Sequence, residues 1–284
     1  MSRLDVITLR RAAIPVVVLG FLLSGLLCSA PADAGVTAEA LRAAYLLQVD
    51  RRLELPEEEA QRYGTLALTM LADADVSLAE PQYVVLVDRN PYVQAIFVYL
   101  ISHDQAYVLI GASPVSTGRI GQFDHFETPT GVFEHTPANP DFRAEGTKNK
   151  LGIRGYGVVG MRVFDFGWQQ ARRGWGEGGM GIMRLQMHAT DPDILEPRLG
   201  RVQSKGCIRI PAALNRLLDR YGVLDAAYEA MQSTGRGMWI LPSDRSPVTE
   251  AGRYLIVVDT LRIQRPLWAT LASGQSLQQH SYPY

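Results

Sequence analysis

Cysteine is almost missing from this chain. Its 284 residues hold two, Cys28 and Cys207, which excludes a disulfide-stapled scaffold. The paired Cys and His spacings of structural zinc sites are missing as well, and the few histidines are scattered, so no metal is expected. Charge bias is absent: 28 Lys and Arg stand against 29 Asp and Glu, so no strong field points to nucleic acid or an anionic membrane as the main partner. Internal repeats and low-complexity tracts are lacking too. What remains is a length sufficient to bury a real core, as one large domain or two small ones.

The N-terminus reads as a targeting segment. Arg3, Arg10 and Arg11 precede the apolar run "AAIPVVVLGFLLSGLLC", and "SAPADAG" follows with Ala32 and Ala34 at the positions a signal peptidase reads. The expectation is a signal peptide over 1–34, cut after Ala34. The alternative is an uncleaved anchor, because the run approaches the ~20 residues that span a bilayer. Either reading places the body of the protein outside the cytoplasm, in the periplasm or cell envelope. "GLL" before Cys28 lacks the small residue that precedes a lipidated cysteine, and Arg10-Arg11 resembles a twin-arginine signal only weakly. Cleavage after Ala34 would leave Cys207 as the lone thiol in an oxidising compartment, either inert filler or a working nucleophile.

Periodicity predicts helices over 36–55 and 57–72, paired as a small hairpin in an N-terminal segment of 35–80. Strands follow at 83–88, 93–101 and 106–118, a locally connected meander that favours an antiparallel or mixed sheet. From 119 to 185 the chain is rich in Gly, Pro and aromatics and reads as loops carrying short strands. In "IMRLQMHA", Met183, Leu185 and Met187 alternate with Arg184, Gln186 and His188, which sets His188 on the polar face of a strand. In "SKGCIRIP", Cys207 and Arg209 share one face, and Ile208 and Ile210 the other. Pro211 then opens a helix with the stripe Leu214, Leu217, Leu218 and Tyr221, ended by Gly222.

A thiol attacks as its thiolate and needs a base or a positive charge nearby. His188 is the best candidate. His103 falls in a hairpin turn, His125 and His135 flank "ETPTG" in a loop region, and His280 lies in the tail. A tight "SKGC" turn would aim the backbone N–H groups of Lys205, Gly206 and Cys207 at one point, where they could stabilise an oxyanion. Trp168 and Trp175 suit either a lid or glycan-facing surface over a cleft, or core packing and loop anchoring. The tail from 243 onward, with the strand-like "RYLIVVDT", serves docking or packing.

His188, a gap of fifteen residues, and then Ser204-Lys205-Gly206-Cys207-Ile208-Arg209 resembles the signature of the L,D-transpeptidase catalytic domain, the YkuD domain. "PVSTG" (114–118) and "TPTGVF" (128–133) are similar to that family's upstream blocks, so the likeness runs from about 81 to 242 and leaves 243–284 as a C-terminal extension. The resemblance implies a mostly β fold with helices, a β-sandwich or mixed sheet with a helix after the catalytic strand, and an exported peptidoglycan enzyme without a cofactor. It also implies Cys207 as nucleophile, His188 as proton donor and acceptor, and peptidoglycan stem peptides as donor and acceptor substrates. Arg209 would hold a stem carboxylate or sit in a structural salt bridge, and Ser204 would bond within the site or shape the turn. One departure stands out: Lys205 occupies the place of the family's usual second histidine, as a tuner of the thiolate, a carboxylate binder or a solvated loop lysine. Hydrolysis of stem peptides with the same Cys and His is the alternative activity, and a non-catalytic wall-binding module a third reading.

Overall fold

The computed structural model describes residues 35–102 and 104–270. The targeting segment with Cys28, as well as His103 and His280, lies outside the described residues.

The architecture is mixed α/β, built on two sheets without a barrel. Strands β1 (Gln82–Asp88), β2 (Ala95–Ile101) and β3 (Tyr107–Pro114) form the expected antiparallel meander. The sheet continues with β9 (Tyr254–Val258), parallel to β1, and then β4 (Gly131–Glu134), giving the order β3-β2-β1-β9-β4. The second sheet has the order β5-β6-β7-β8, from Phe142–Arg143, Arg162–Arg172, Met180–Ala189 and Ile208–Ile210. One apolar cluster joins Val85, Val87 and Val98 of the first sheet to Phe164, Leu185, Met187 and Ile208 of the second, so the sheets pack face to face.

The two N-terminal helices form, as α1 (Ala38–Gln48) and α2 (Glu57–Asp73), but on opposite faces of the five-stranded sheet rather than as a hairpin. The cause lies in β1, whose side chains from Tyr83 to Val87 are all buried, odd positions on one face and even positions on the other. Each face needs its own cover. On one, Tyr45 of α1 donates to the Ala112 carbonyl at 2.6 Å. On the other, Tyr63 of α2 stacks on Phe97 at 4.1 Å and donates to Asp88 at 2.7 Å. Strand β9 lies in the segment read as a C-terminal extension, yet it occupies an interior position of the sheet.

The region read as loops with short strands from 119 to 185 contains the longest strand among the described residues, β6, and the start of β7, whose remainder is the strand expected over "IMRLQMHA". Their register shifts between Asp165 and Trp168, and Gly167 takes φ +76°. Such a bulge breaks the period-two pattern by which a strand is recognised. After β8, helix α3 (Ala212–Arg220) buries Leu214, Leu217 and Leu218, and Gly222 stops it at φ +58°. Helix α4 (Ala226–Ser233) follows.

Behind the second sheet lies a buried charge cluster. Arg162, fully buried, pairs through Nε with Asp141 at 2.7 Å and through both terminal nitrogens with Asp225 at 2.7 and 2.8 Å. His135 has Nδ1 2.8 Å from the Leu224 carbonyl and Nε2 2.9 Å from Asp141. Both partners only accept, so both ring nitrogens carry protons and His135 is an imidazolium. Burial opposes that charge, but Asp141 outweighs it and the pKa is raised.

Candidate active site

Strands β7 and β8 run parallel, with Met187 beside Ile208, His188 beside Arg209 and Ala189 beside Ile210. Met187, Ile208 and Ile210 enter the core. Alternation then sets Arg184, Gln186 and His188 of β7, with Arg209, on the opposite face. The structure therefore sets His188 and Arg209 side by side, with Cys207, just ahead of β8, meeting the Gln186 backbone N–H and the Arg209 charge while packing in part against the apolar core.

The turn that carries Cys207 is fixed by short hydrogen bonds. Gly206 has φ +133°, a conformation that strains any residue with a side chain, and a Cβ there would also displace the Met183 thioether, 2.7 Å away. Ser204, buried, donates through Oγ to the Cys207 carbonyl at 2.5 Å and accepts from the Gly206 N–H at 3.1 Å. Thr128 Oγ1 donates to the Gly206 carbonyl at 2.6 Å and accepts from Gly118 N–H at 2.9 Å. Ser116 exchanges backbone hydrogen bonds with Arg209 at 3.0 and 2.9 Å, and Ser204 donates to the Thr117 carbonyl at 2.9 Å. The "PVSTG" and "TPTGVF" blocks thus meet at the cysteine turn, although they are far from it in sequence.

These contacts revise several roles. The Gly206 N–H, expected as an oxyanion donor, is engaged by Ser204. Lys205 points to solvent and pairs with exposed Asp124 at 2.8 Å, while its carbonyl accepts from Phe126 N–H at 3.0 Å; both contacts hold loop 119–127 to the turn. Arg209 has no carboxylate partner among the described residues. It donates to the Gln203 carbonyl at 3.2 Å. Trp175 packs edge-on against Phe126 at 4.8 Å and anchors the same loop, whereas Trp168 is 65% exposed with the Arg184 guanidinium over its ring at 5.8 Å.

The protonation states follow from burial and partners. His188 is 4% exposed, and its Nδ1 lies 2.5 Å from the Ala189 carbonyl. A carbonyl only accepts, so Nδ1 carries the hydrogen and Nε2 is the bare, basic nitrogen. Burial first, and then the Arg209 charge, lower its pKa to about 4 against the pull of the Ala189 hydrogen bond. The imidazole is neutral at pH 7. Burial pushes the Cys207 thiol up, opposed by the Gln186 backbone N–H and by Arg209. Thiol and imidazole do not hydrogen-bond to each other in this structure: Cys207 Sγ faces the Arg184 carbonyl at 3.7 Å.

Around them lies a polar floor that the sequence did not single out. Asp165, buried on β6, accepts from Arg184 Nε at 2.7 Å, Gln186 Nε2 at 2.8 Å and Gly167 N–H at 2.8 Å. Tyr156 donates to Gln186 Oε1 at 3.1 Å and packs edge-on against the His188 ring at 4.6 Å. Arg184 and Gln186 were visible as the polar partners of His188 in the β7 alternation. Asp165 and Tyr156 carried no such signal, since both come from the region without clean periodicity. Among the described residues no group of three His, Cys, Asp or Glu side chains could hold a metal ion.

No protein-family model matches the chain, and no curated protein does. Among solved structures it is similar to the helical cell shape determining protein Pgp2 from Campylobacter jejuni, at 13% identity and a TM-score of 0.28, over 84% of this chain and 60% of that one.

Proposed function

We propose that the protein is an exported L,D-transpeptidase that acts on peptidoglycan stem peptides through Cys207. The observation that supports this most is the edge of β7 and β8, where His188 with a bare Nε2 stands beside Arg209, a guanidinium without a carboxylate partner among the described residues, whose charge acts on the Cys207 thiol. A neutral imidazole beside a neutral thiol suits general-base activation rather than a standing ion pair.

In this reading, Cys207 leaves the Arg184 carbonyl and gives its proton to His188 Nε2 as Sγ attacks the amide between the third stem residue and the terminal D-residue. The tetrahedral oxyanion is met by the N–H groups of Lys205 and Cys207, since those of Ser204 and Gly206 are engaged by Thr117 and Ser204. The carbon–nitrogen bond breaks, His188 protonates the departing amine, and a thioester remains on Cys207. An acceptor amine then attacks the thioester and returns its proton through His188, which releases the thiol and forms the cross-link. Arg209 supports the first step by favouring the thiolate.

The test is to incubate the full chain with purified disaccharide tetrapeptide, with and without an added amine, and to resolve the products by mass spectrometry. Cross-linked dimer is the expected product, and tripeptide alone would replace transfer with hydrolysis. If wild type and Cys207→Ala give the same products, the enzymatic reading fails.

A further inference from the structure

Five residues with side chains take a positive φ among those described, and four of them, Asp75, Gln105, Asp124 and Leu261, are exposed. The fifth, Gln94 at φ +50°, is fully buried in the turn ahead of β2. A left-handed backbone under a long side chain is costly, and it persists where the surroundings hold it by several bonds at once. Here they do. Gln94 Nε2 donates to the Arg89 carbonyl at 2.5 Å and to Thr117 Oγ1 at 2.7 Å, while Oε1 accepts from the Thr117 N–H at 2.8 Å. The Gln94 carbonyl accepts from the Val115 N–H at 2.8 Å. A carbonyl only accepts and an N–H only donates, so these partners fix which way the amide points.

Gln94 touches none of the reacting groups, but Thr117 leads to them. The Thr117 carbonyl accepts from the N–H groups of Gln203 and Ser204 at 3.0 and 2.9 Å, and Ser116 exchanges two backbone bonds with Arg209. One side of segment 115–117 is thus gripped by Gln94, and the other carries both ends of the turn that bears Cys207. We propose that Gln94 is a positioning residue: through Thr117 it holds the 204–209 turn, and with it Cys207 and Arg209, in place against β7. Charge plays no part, since the Gln94 side chain is neutral and each of its polar atoms is bonded. The consequence for the reaction rests on the acyl-transfer reading; the consequence for the turn does not.

Two variants test this, and both suit a left-handed backbone. Gln94→Asn keeps the amide but is one methylene too short to reach Thr117, and Gln94→Gly removes the amide while relieving the strain. Native-state hydrogen exchange on the full chain reads the turn. In both variants the Ser204 and Arg209 amides should exchange about tenfold faster or more, while those of Val85 and Leu86 in β1 change by less than about twofold. A general loss of stability would speed all four alike. The kinetic readout is formation of the Cys207 adduct with disaccharide tetrapeptide. Its limiting rate should fall about ten- to hundredfold, with the half-saturating concentration within about twofold of wild type. The proposal is overturned if the Ser204 and Arg209 amides keep their wild-type exchange, if the β1 amides accelerate equally, or if the adduct forms at the wild-type rate. A wild type that forms no adduct would overturn the acyl-transfer reading alone, and hydrogen exchange would still decide the role of Gln94.

Discussion

Replacing Gly206 by alanine probes the turn that presents the thiol. The backbone there sits at φ +133°, and the added Cβ would fall 2.7 Å from Met183 Sδ, 2.8 Å from its Cε and 3.2 Å from Phe126 Cβ. Holding a residue with a side chain in that backbone region costs about 1–3 kcal/mol. Forcing a methyl group against a buried methionine adds roughly 1–3 kcal/mol of overpacking. Together these predict a loss of about 2–6 kcal/mol, a large part of a typical domain's stability. The two contributions separate in a double-mutant cycle with Met183→Ala, which alone should cost roughly 2–5 kcal/mol by opening a cavity. The new methyl fills part of that cavity, so the double variant should lose about 1–3 kcal/mol less than the sum of the single losses. Urea unfolding of the four proteins measures this directly. Strict additivity would refute the contact, and an unaffected Gly206→Ala would refute the turn geometry itself.

Other consequences are equally specific. Arg209→Gln removes the positive charge that favours the thiolate, so alkylation of Cys207 by iodoacetamide at neutral pH should slow several-fold, while Arg209→Lys should retain most of the rate; equal rates for all three would contradict the role. His188 is buried with its pKa lowered to about 4 from an unfolded value near 6.5. The unfolded state therefore binds more protons between those values. The neutral ring's contribution is complete above about pH 6.5 and is lost as pH falls toward 4, by roughly 3 kcal/mol. His188→Gln should flatten that part of the stability-versus-pH curve, and an unchanged slope would show that the ring is not buried neutral. Arg162→Met leaves Asp225 buried without its cation and Asp141 with the His135 imidazolium alone and should cost about 3–5 kcal/mol in urea unfolding; a neutral result would contradict the cluster's role.

The parts of this architecture that were legible in sequence are those with an uninterrupted period. The β1–β3 meander, α2, and α3 with its Gly222 stop follow from local pattern alone. Most of β7 was legible in the alternation of "IMRLQMHA", but β6 was hidden by its bulge at Gly167, which shifts the alternation midway. The placement of α1 and α2 on opposite faces was implicit in "YVVLVD", a run buried on both sides, but period-two reasoning looks for one apolar face. Hydrogen-bond allocation was the least accessible level. That Ser204 takes the Gly206 N–H turns on one rotamer within the turn, and that Asp165 gathers Arg184 and Gln186 depends on side chains meeting across β6 and β7.

The central claim is that Cys207 forms an acyl bond with a stem peptide by giving its proton to His188. Intact-protein mass spectrometry after brief exposure to disaccharide tetrapeptide tests it most directly. A thioester adduct confined to Cys207 is predicted, formed about 10²–10⁴-fold more slowly in His188→Gln and never in Cys207→Ala. An adduct on another residue, or equal rates with and without the imidazole, would contradict the account.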